Sequence, residues 1–404
     1  MNHDATRRSF ILAATTATAA TIYGSSAQAF AANETIRIAC IGTGGRCRQL
    51  MKSLIKIDKV RLSGVCDIWE VARQEGAKLA DPNAVVTPSW RAVLDSKDFD
   101  AVVIGTPDHW HAPLTMAACS AGKDVYVEKP LTHDLKEGAQ LIKACTDSKR
   151  IVQVGMQQRS MTHIIKAREL IRAGRIGTVV KVRLSWNRNA DRVKRFPLGV
   201  DPKKVDWAAF TGDARQQPFD EYRFRNWRWF WDFGGGIFTD LMVHWIDVAH
   251  WILDLDHPVK AVSLGMFHKA KDVWETPDTV QTILNYPQVQ AYFEGTFSNA
   301  REGAMIQFMG SEGTCYIDRG RFEIEPDWNR KGAKESMILG TNPRKGADFY
   351  DKPDGELLHL TDWIKAVRDR TQPSAPIQAG VRSANAAHLA NIALRTGGTA
   401  QWSE

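Results

Sequence analysis

The sequence predicts two domains: an α/β domain on a doubly wound parallel sheet, then an α+β domain with a large, mainly antiparallel open sheet. Three observations carry this. The chain has 404 residues and no internal period, whereas single cores stop growing at roughly 250 to 300 residues. Between residues 36 and 155 short Val- and Ile-rich runs alternate with helical stretches long enough for crossovers, the pattern of parallel strands. After Gly177 strand-like runs follow without intervening helices, which favours antiparallel pairing.

In order, strands are expected at 36–41, 61–66, 101–105, 124–127 and 151–155, with helices at 49–57, 69–79, 114–121 and 135–147. A helix at 162–173 bridges to the second half. There the expected strands are 178–186, 259–267, 279–286, 289–297, 304–309 and 314–317. The long insert 187–258 and helices near 357–370 and 381–395, joined by a Pro/Ser-rich loop at 371–376, can cover one sheet face or pack back on the first domain.

Composition narrows the function. With 44% hydrophobic and 25% charged residues the chain reads as globular rather than disordered. Its net charge of +7 comes from 53 basic and 46 acidic residues that are interspersed, which gives no support to nucleic-acid binding. No membrane span is expected after position 35. The six cysteines form no C-x-x-C pair and read as buried thiols, not a zinc or iron–sulfur framework.

Residues 1–32 differ from the rest. Arg7-Arg8 precedes an Ala/Thr-rich stretch, and Ala27-Gln28-Ala29 offers small residues for cleavage. The order of charge, apolar core and cleavage site is that of a twin-arginine export signal, so a periplasmic or otherwise exported location is expected. Domain boundaries follow at 33–157 and 158–404.

Gly42-Thr43-Gly44-Gly45-Arg46-Cys47 joins the first strand to the first helix. Gly42 permits the tight turn, Gly44 a close backbone approach, and the helix N-terminus offers N–H donors to a pyrophosphate. Cys47 departs from the usual third Gly or Ala. Asp67, at the end of the second strand, stands where an acid binds adenosine ribose hydroxyls, or where it starts the next helix. Its charge favours NAD over NADP. Thr106-Pro107-Asp108-His109-Trp110-His111 follows the third long strand and Glu128-Lys129-Pro130 the fourth, both at strand ends where such sheets bind ligands. No metal site is assigned to the H-x-H pair.

These motifs, with Asp240-x-x-x-His244, resemble the Gfo/Idh/MocA family over nearly the whole chain after residue 35. The E-K-P tripeptide followed by D-x-x-x-H is more specific than the glycines. The resemblance implies a Rossmann domain, then a domain whose open sheet serves subunit contact, hence a homo-oligomer. It places the nucleotide against Gly42, Thr43, Gly44, Gly45, Arg46, Asp67, Thr106, Pro107, His111, Glu128 and Lys129. Lys129, Asp240 and His244 would be catalytic. The family includes sugar and polyol dehydrogenases, oxidoreductases that recycle their cofactor, and redox-neutral glycosidases, so a carbohydrate or polyol substrate is implied.

Seven of the fourteen tryptophans lie between residues 186 and 251. Sugar rings stack on aromatic faces while Arg and Asp hold hydroxyls, so Trp227, Arg228 and Trp231 join Asp240 and His244 as expected substrate contacts. Most other tryptophans read as core. At i and i+4 on a helix, Asp240 would orient His244 and raise its pKa, suiting a general base. Whether Lys129 or His244 holds the proton stays open.

Overall fold

The computed structural model describes residues 35–189, 193, 197–340 and 354–403. The expected export signal lies outside the described residues.

The first domain is a six-stranded, wholly parallel sheet in the order β3-β2-β1-β4-β5-β6. Its strands are β1 (Ile36–Ile41), β2 (Val60–Cys66), β3 (Val85–Thr87), β4 (Ala101–Ile104), β5 (Asp124–Val127) and β6 (Val152–Val154). Strand order reverses between β1 and β4, opening a crevice at their carboxyl ends. The crossover helices are α1 (Gly45–Leu54), α2 (Glu70–Ala77), α3 (Trp90–Asp95), α4 (His111–Ser120) and α5 (Glu137–Ser148). β3 and α3 were not expected, because three half-exposed residues at a sheet edge carry almost no periodic signal.

α6 (Thr162–Arg172) leads into the second sheet, of nine strands in the order β14-β13-β12-β11-β7-β10-β9-β8-β15. β7 (Val179–Asn187), β8 (Lys260–Met266), β9 (Thr279–Asn285), β10 (Gln290–Thr296), β11 (Ala304–Gly310) and β12 (Gly313–Asp318) match expected strands. β13 (Arg321–Pro326), β14 (Glu335–Ile338) and β15 (Thr399–Gln401) were not foreseen. All pairings are antiparallel except β7 with β10, a pair separated in sequence by the insert.

The insert supplies α7 (Trp207–Thr211), α8 (Glu221–Arg225) and α9 (Val243–Leu253), the last preceded by a single π turn, Phe238–Met242. α6, α9 and the last helix, α11 (Ile377–Arg395), cover one sheet face. Among the described residues none covers the other face, and Val262, Leu264, Met266 and Ile283 project from it, Leu264 at 71% exposure. α10 (Gly355–Asp369) packs back on the first sheet. Its Leu360, Trp363, Ile364 and Val367 share a core with Ile38, Leu50 and Val103.

Candidate active site

The β1–α1 turn and the loops after β2 and β4 bound a cleft of about 380 Å³. Gly42 has φ +79°, and a Cβ there would meet Thr106 at 2.7 Å, so glycine is required. Gly44 and Gly45 border open space where a side chain would fill the cleft. No side chain caps α1 and no acid lies in its first turn, so its leading N–H groups can receive a pyrophosphate. Thr106 Oγ1 is buried without a hydrogen-bond partner. Such a cradle, with an orphaned hydroxyl beside it, fits a dinucleotide. Cys47 is buried and a Cβ on Gly105 would stand 2.8 Å from its own. The small residue that close packing needs has therefore moved to the facing strand.

Asp67 lines the cleft and also holds the backbone just ahead of α2, whose N-cap is Trp69. Its Oδ1 accepts from the Trp69 amide at 2.8 Å. Burial pushes its carboxyl up to about 6.

Gly42, Gly44, Gly45, Arg46, Asp67, Thr106 and Pro107 border the cleft as expected. Three expected contacts turn inward. The Thr43 hydroxyl donates to the Ala72 carbonyl at 3.0 Å. The His111 ring nitrogens lie 2.6 and 2.9 Å from the Pro130 and Thr106 carbonyls, bracing two loops together, and burial lowers its proton affinity. Glu128 accepts from Arg46 at 2.8 Å and from Gln157 at 3.1 Å. Burial opposes its ionisation, but Arg46 and Lys129 outweigh that and hold its carboxyl below the usual range. Arg46 also bonds Glu356 from α10, so much of its charge is matched inside the protein.

The insert forms the opposite wall with Phe210, Phe224, Arg225, Trp227 and Arg228. It is tied to the first domain just beyond Asp67. The Asp206 amide donates to the Ile68 carbonyl at 3.1 Å, Trp69 bridges Val205, and Lys204 pairs with Glu70.

Lys129 does not border the cleft; it leaves the end of β5 toward the π turn. Its Nζ donates to Asp240 Oδ1 at 2.9 Å and to the Asp240 carbonyl at 2.8 Å. Arg228 Nε reaches the same Oδ1 at 3.2 Å while its guanidinium lies 4.1 Å from the Trp227 ring centroid. Burial disfavours an ionised Asp240, yet Lys129 and Arg228 outweigh it, holding the carboxyl well below the usual range.

His244 differs from expectation. Asp240 lies in the π turn, where the i, i+4 alignment of an α-helix is lost, and its carboxylate serves Lys129 and Arg228 instead. His244 Nδ1 is buried without a hydrogen-bond partner. Burial, then the charges of Lys129 and Arg319, push its proton affinity well down rather than up. The ring is therefore neutral and can accept a proton.

Trp231 is not brought to Lys129 either. Its indole N–H bonds the Glu275 carbonyl, and it lines a separate cavity with His109 and His133. Asp108 lies in the Thr106–His111 motif. It is buried, and burial raises its carboxyl well above the usual range despite Lys129 and Arg228. Nothing in the sequence marks that burial.

The fold and the site define an oxidoreductase that binds a dinucleotide. The model of the oxidoreductase family with an NAD-binding Rossmann fold matches residues 36–156, and that of the GFO/IDH/MocA C-terminal domain matches 164–316. The chain belongs to the Gfo/Idh/MocA family and is an NAD-dependent oxidoreductase. It is 26% identical over 347 residues to inositol 2-dehydrogenase/D-chiro-inositol 3-dehydrogenase of Halalkalibacterium halodurans, covering 84% of this chain and 86% of that one. A glycosyl hydrolase family 109 protein of Stenotrophomonas maltophilia is 29% identical over 198 residues, 46% of this chain and 43% of that one. An Agrobacterium radiobacter oxidoreductase solved with NAD+, L-tartaric acid and magnesium superposes with a TM-score of 0.70 at 15% identity, covering 91% and 98% of the two chains.

Proposed function

We propose that the protein oxidises a secondary hydroxyl of a sugar, polyol or glycoside. The carrying observation is the cluster of Lys129, from the end of β5, with Asp240 and Arg228 beside a neutral His244. NAD, when held in the cleft, would supply the acceptor for the carbinol hydride. The hydroxyl O–H bond breaks, its proton passes to a ring nitrogen of His244, and the remaining electron pair completes the carbonyl. Lys129, held by Asp240, donates to the reacting oxygen and stabilises its developing negative charge. The inositol-oxidising relative supports a polyol or sugar substrate. Incubating purified protein and NAD with a panel headed by myo-inositol tests this. Formation of NADH is expected, and none across the panel would overturn it.

One observation favours a redox-neutral glycosidase as second reading. Burial disfavours ionisation of the Asp108 carboxyl, the direction a proton donor to a leaving group needs, and a glycosyl hydrolase is among the relatives. Release of an aryl alcohol from aryl glycosides without net NADH would mark it.

Export and cofactor retention belong to the same proposal. Arg7-Arg8 and Ala27-Gln28-Ala29 support passage through the twin-arginine route. The insert's ties beside Asp67 support a nucleotide that stays bound and is recycled in place. The open face bearing Leu264, Met266 and Ile283 supports a homo-oligomer through the second sheet.

A further inference from the structure

We propose that Trp186 is a positioning residue for His244, its indole, with the Arg319 guanidinium upon it, fixing the plane of the imidazole. The inference rests on His244 being the proton acceptor. The two rings stack, with centroids 5.2 Å apart and planes inclined at 28°. The Arg319 guanidinium lies 4.6 Å from the Trp186 ring centroid, and that of Arg188 lies 5.3 Å from it. Trp186 is 2% exposed, and β7 is clamped on both sides at this point, opposite Gly295 of β10 and Ala304 of β11. The indole cannot turn easily, so the imidazole lying on it inherits a fixed plane.

The stack also bears on charge. An indole face alone attracts a cation and would favour imidazolium. Here guanidinium groups already occupy that ring, so a further positive charge meets repulsion. The charged groups facing His244 come from four elements: Lys129 from the end of β5, Asp240 from the π turn, Arg46 from α1, and Arg319 from the turn after β12. The acid among them is engaged by Lys129 and Arg228. Orientation and neutrality thus arise without a hydrogen bond to Nδ1, and the ring accepts a proton without first losing one.

The test is NMR titration of the NAD-loaded full-length protein carrying ¹⁵N-labelled histidine, the His244 resonances being identified by their loss in His244→Ala. Arg319→Gln should raise the His244 midpoint by about half a unit or more, one cation being removed. Trp186→Leu should raise it toward the ordinary value and mix the ring tautomers, because water reaches the ring. If Trp186→Leu fails to fold, Trp186→Phe is read the same way, with a smaller shift. An unmoved midpoint in Arg319→Gln, or a shift there with none in the Trp186 variant, would overturn the inference. Turnover surviving in His244→Ala would instead sink the base assignment, leaving the titration result as it stands.

Discussion

Lys129 Nζ donates to Asp240 twice, to its carboxylate at 2.9 Å and to its backbone carbonyl at 2.8 Å. The lysine is thereby pinned in position as well as matched in charge. Both side chains are mostly buried, 11% and 17% exposed, so water screens the pair little. A reacting oxygen would meet an ammonium with one donor still unspent.

Lys129→Ala should therefore lower kcat by about a hundredfold to ten-thousandfold while bound nucleotide is retained. Steady-state NADH formation, with nucleotide quantified after denaturation, is the measurement. Turnover within a few fold of wild type would remove Lys129 from the chemistry.

Asp67→Ala should weaken NAD binding by about 1 to 3 kcal/mol, since the ribose contact to a charged acceptor disappears. Discrimination against NADP should relax with it. Calorimetric titration of both nucleotides checks this, and unchanged relative affinities would leave Asp67 only its amide bond to Trp69.

Arg159 and Asp247 form a bidentate pair at 2.8 and 2.8 Å, side chains 8% and 0% exposed, with Ser383 donating to the same carboxylate. Asp247→Ala should cost about 3 to 5 kcal/mol because the guanidinium is left unmatched in the core. Arg159→Met combined with Asp247→Leu should recover much of that loss in denaturant titrations.

Burial pushes His163, His359 and His388 down to about 4 and His250 to about 3, against roughly 6.5 unfolded. Each stays neutral in the folded chain when the unfolded chain has already taken a proton. Their contribution is thus complete above about pH 6.5 and shrinks as pH falls toward 4. Asp67, raised to about 6, and Asp108 act in the opposite sense but are fewer. Thermal midpoints should fall steadily between pH 6.5 and 4, and a flat profile there would contradict these assignments.

Protein recovered from an envelope fraction should release about one nicotinamide nucleotide per chain on denaturation if the insert retains it. Leu264→Lys with Ile283→Lys should shift the oligomer toward monomer by light scattering, since two charges on the open face cannot be desolvated together. An empty cleft, or unchanged mass, would remove the corresponding proposal.

The sequence disclosed what depends on local pattern. Alternating apolar runs marked β1, β2, β4, β5 and β6, and the glycine turn with Asp67 marked the cleft. It hid what depends on partners far along the chain. Arg46 borders the cleft as its place in the glycine turn implies, but its pairing with Glu356, 310 residues away, has no local signal. Asp240 and His244 looked paired because D-x-x-x-H implies an α-helix, and nothing in Phe238–Met242 announces a π turn. The edge strands β14 and β15, Glu335–Ile338 and Thr399–Gln401, are short and half polar, so they lack the apolar run that marked the equally short β4, β5 and β6.

The return of α10 onto the first sheet sets an order of events during synthesis. The core that contains Ile38, Leu50 and Val103 is closed by Leu360, Trp363, Ile364 and Val367. Those residues leave the ribosome more than 300 positions after β1. Until then one apolar flank of the nucleotide-binding half has no cover, so this half, although translated first, cannot finish folding before α10 has left the ribosome. A nascent chain stalled before residue 355 should be open to proteases and chaperones on that flank, and the two halves could not be inherited or transplanted as separate modules by cutting between β6 and α6.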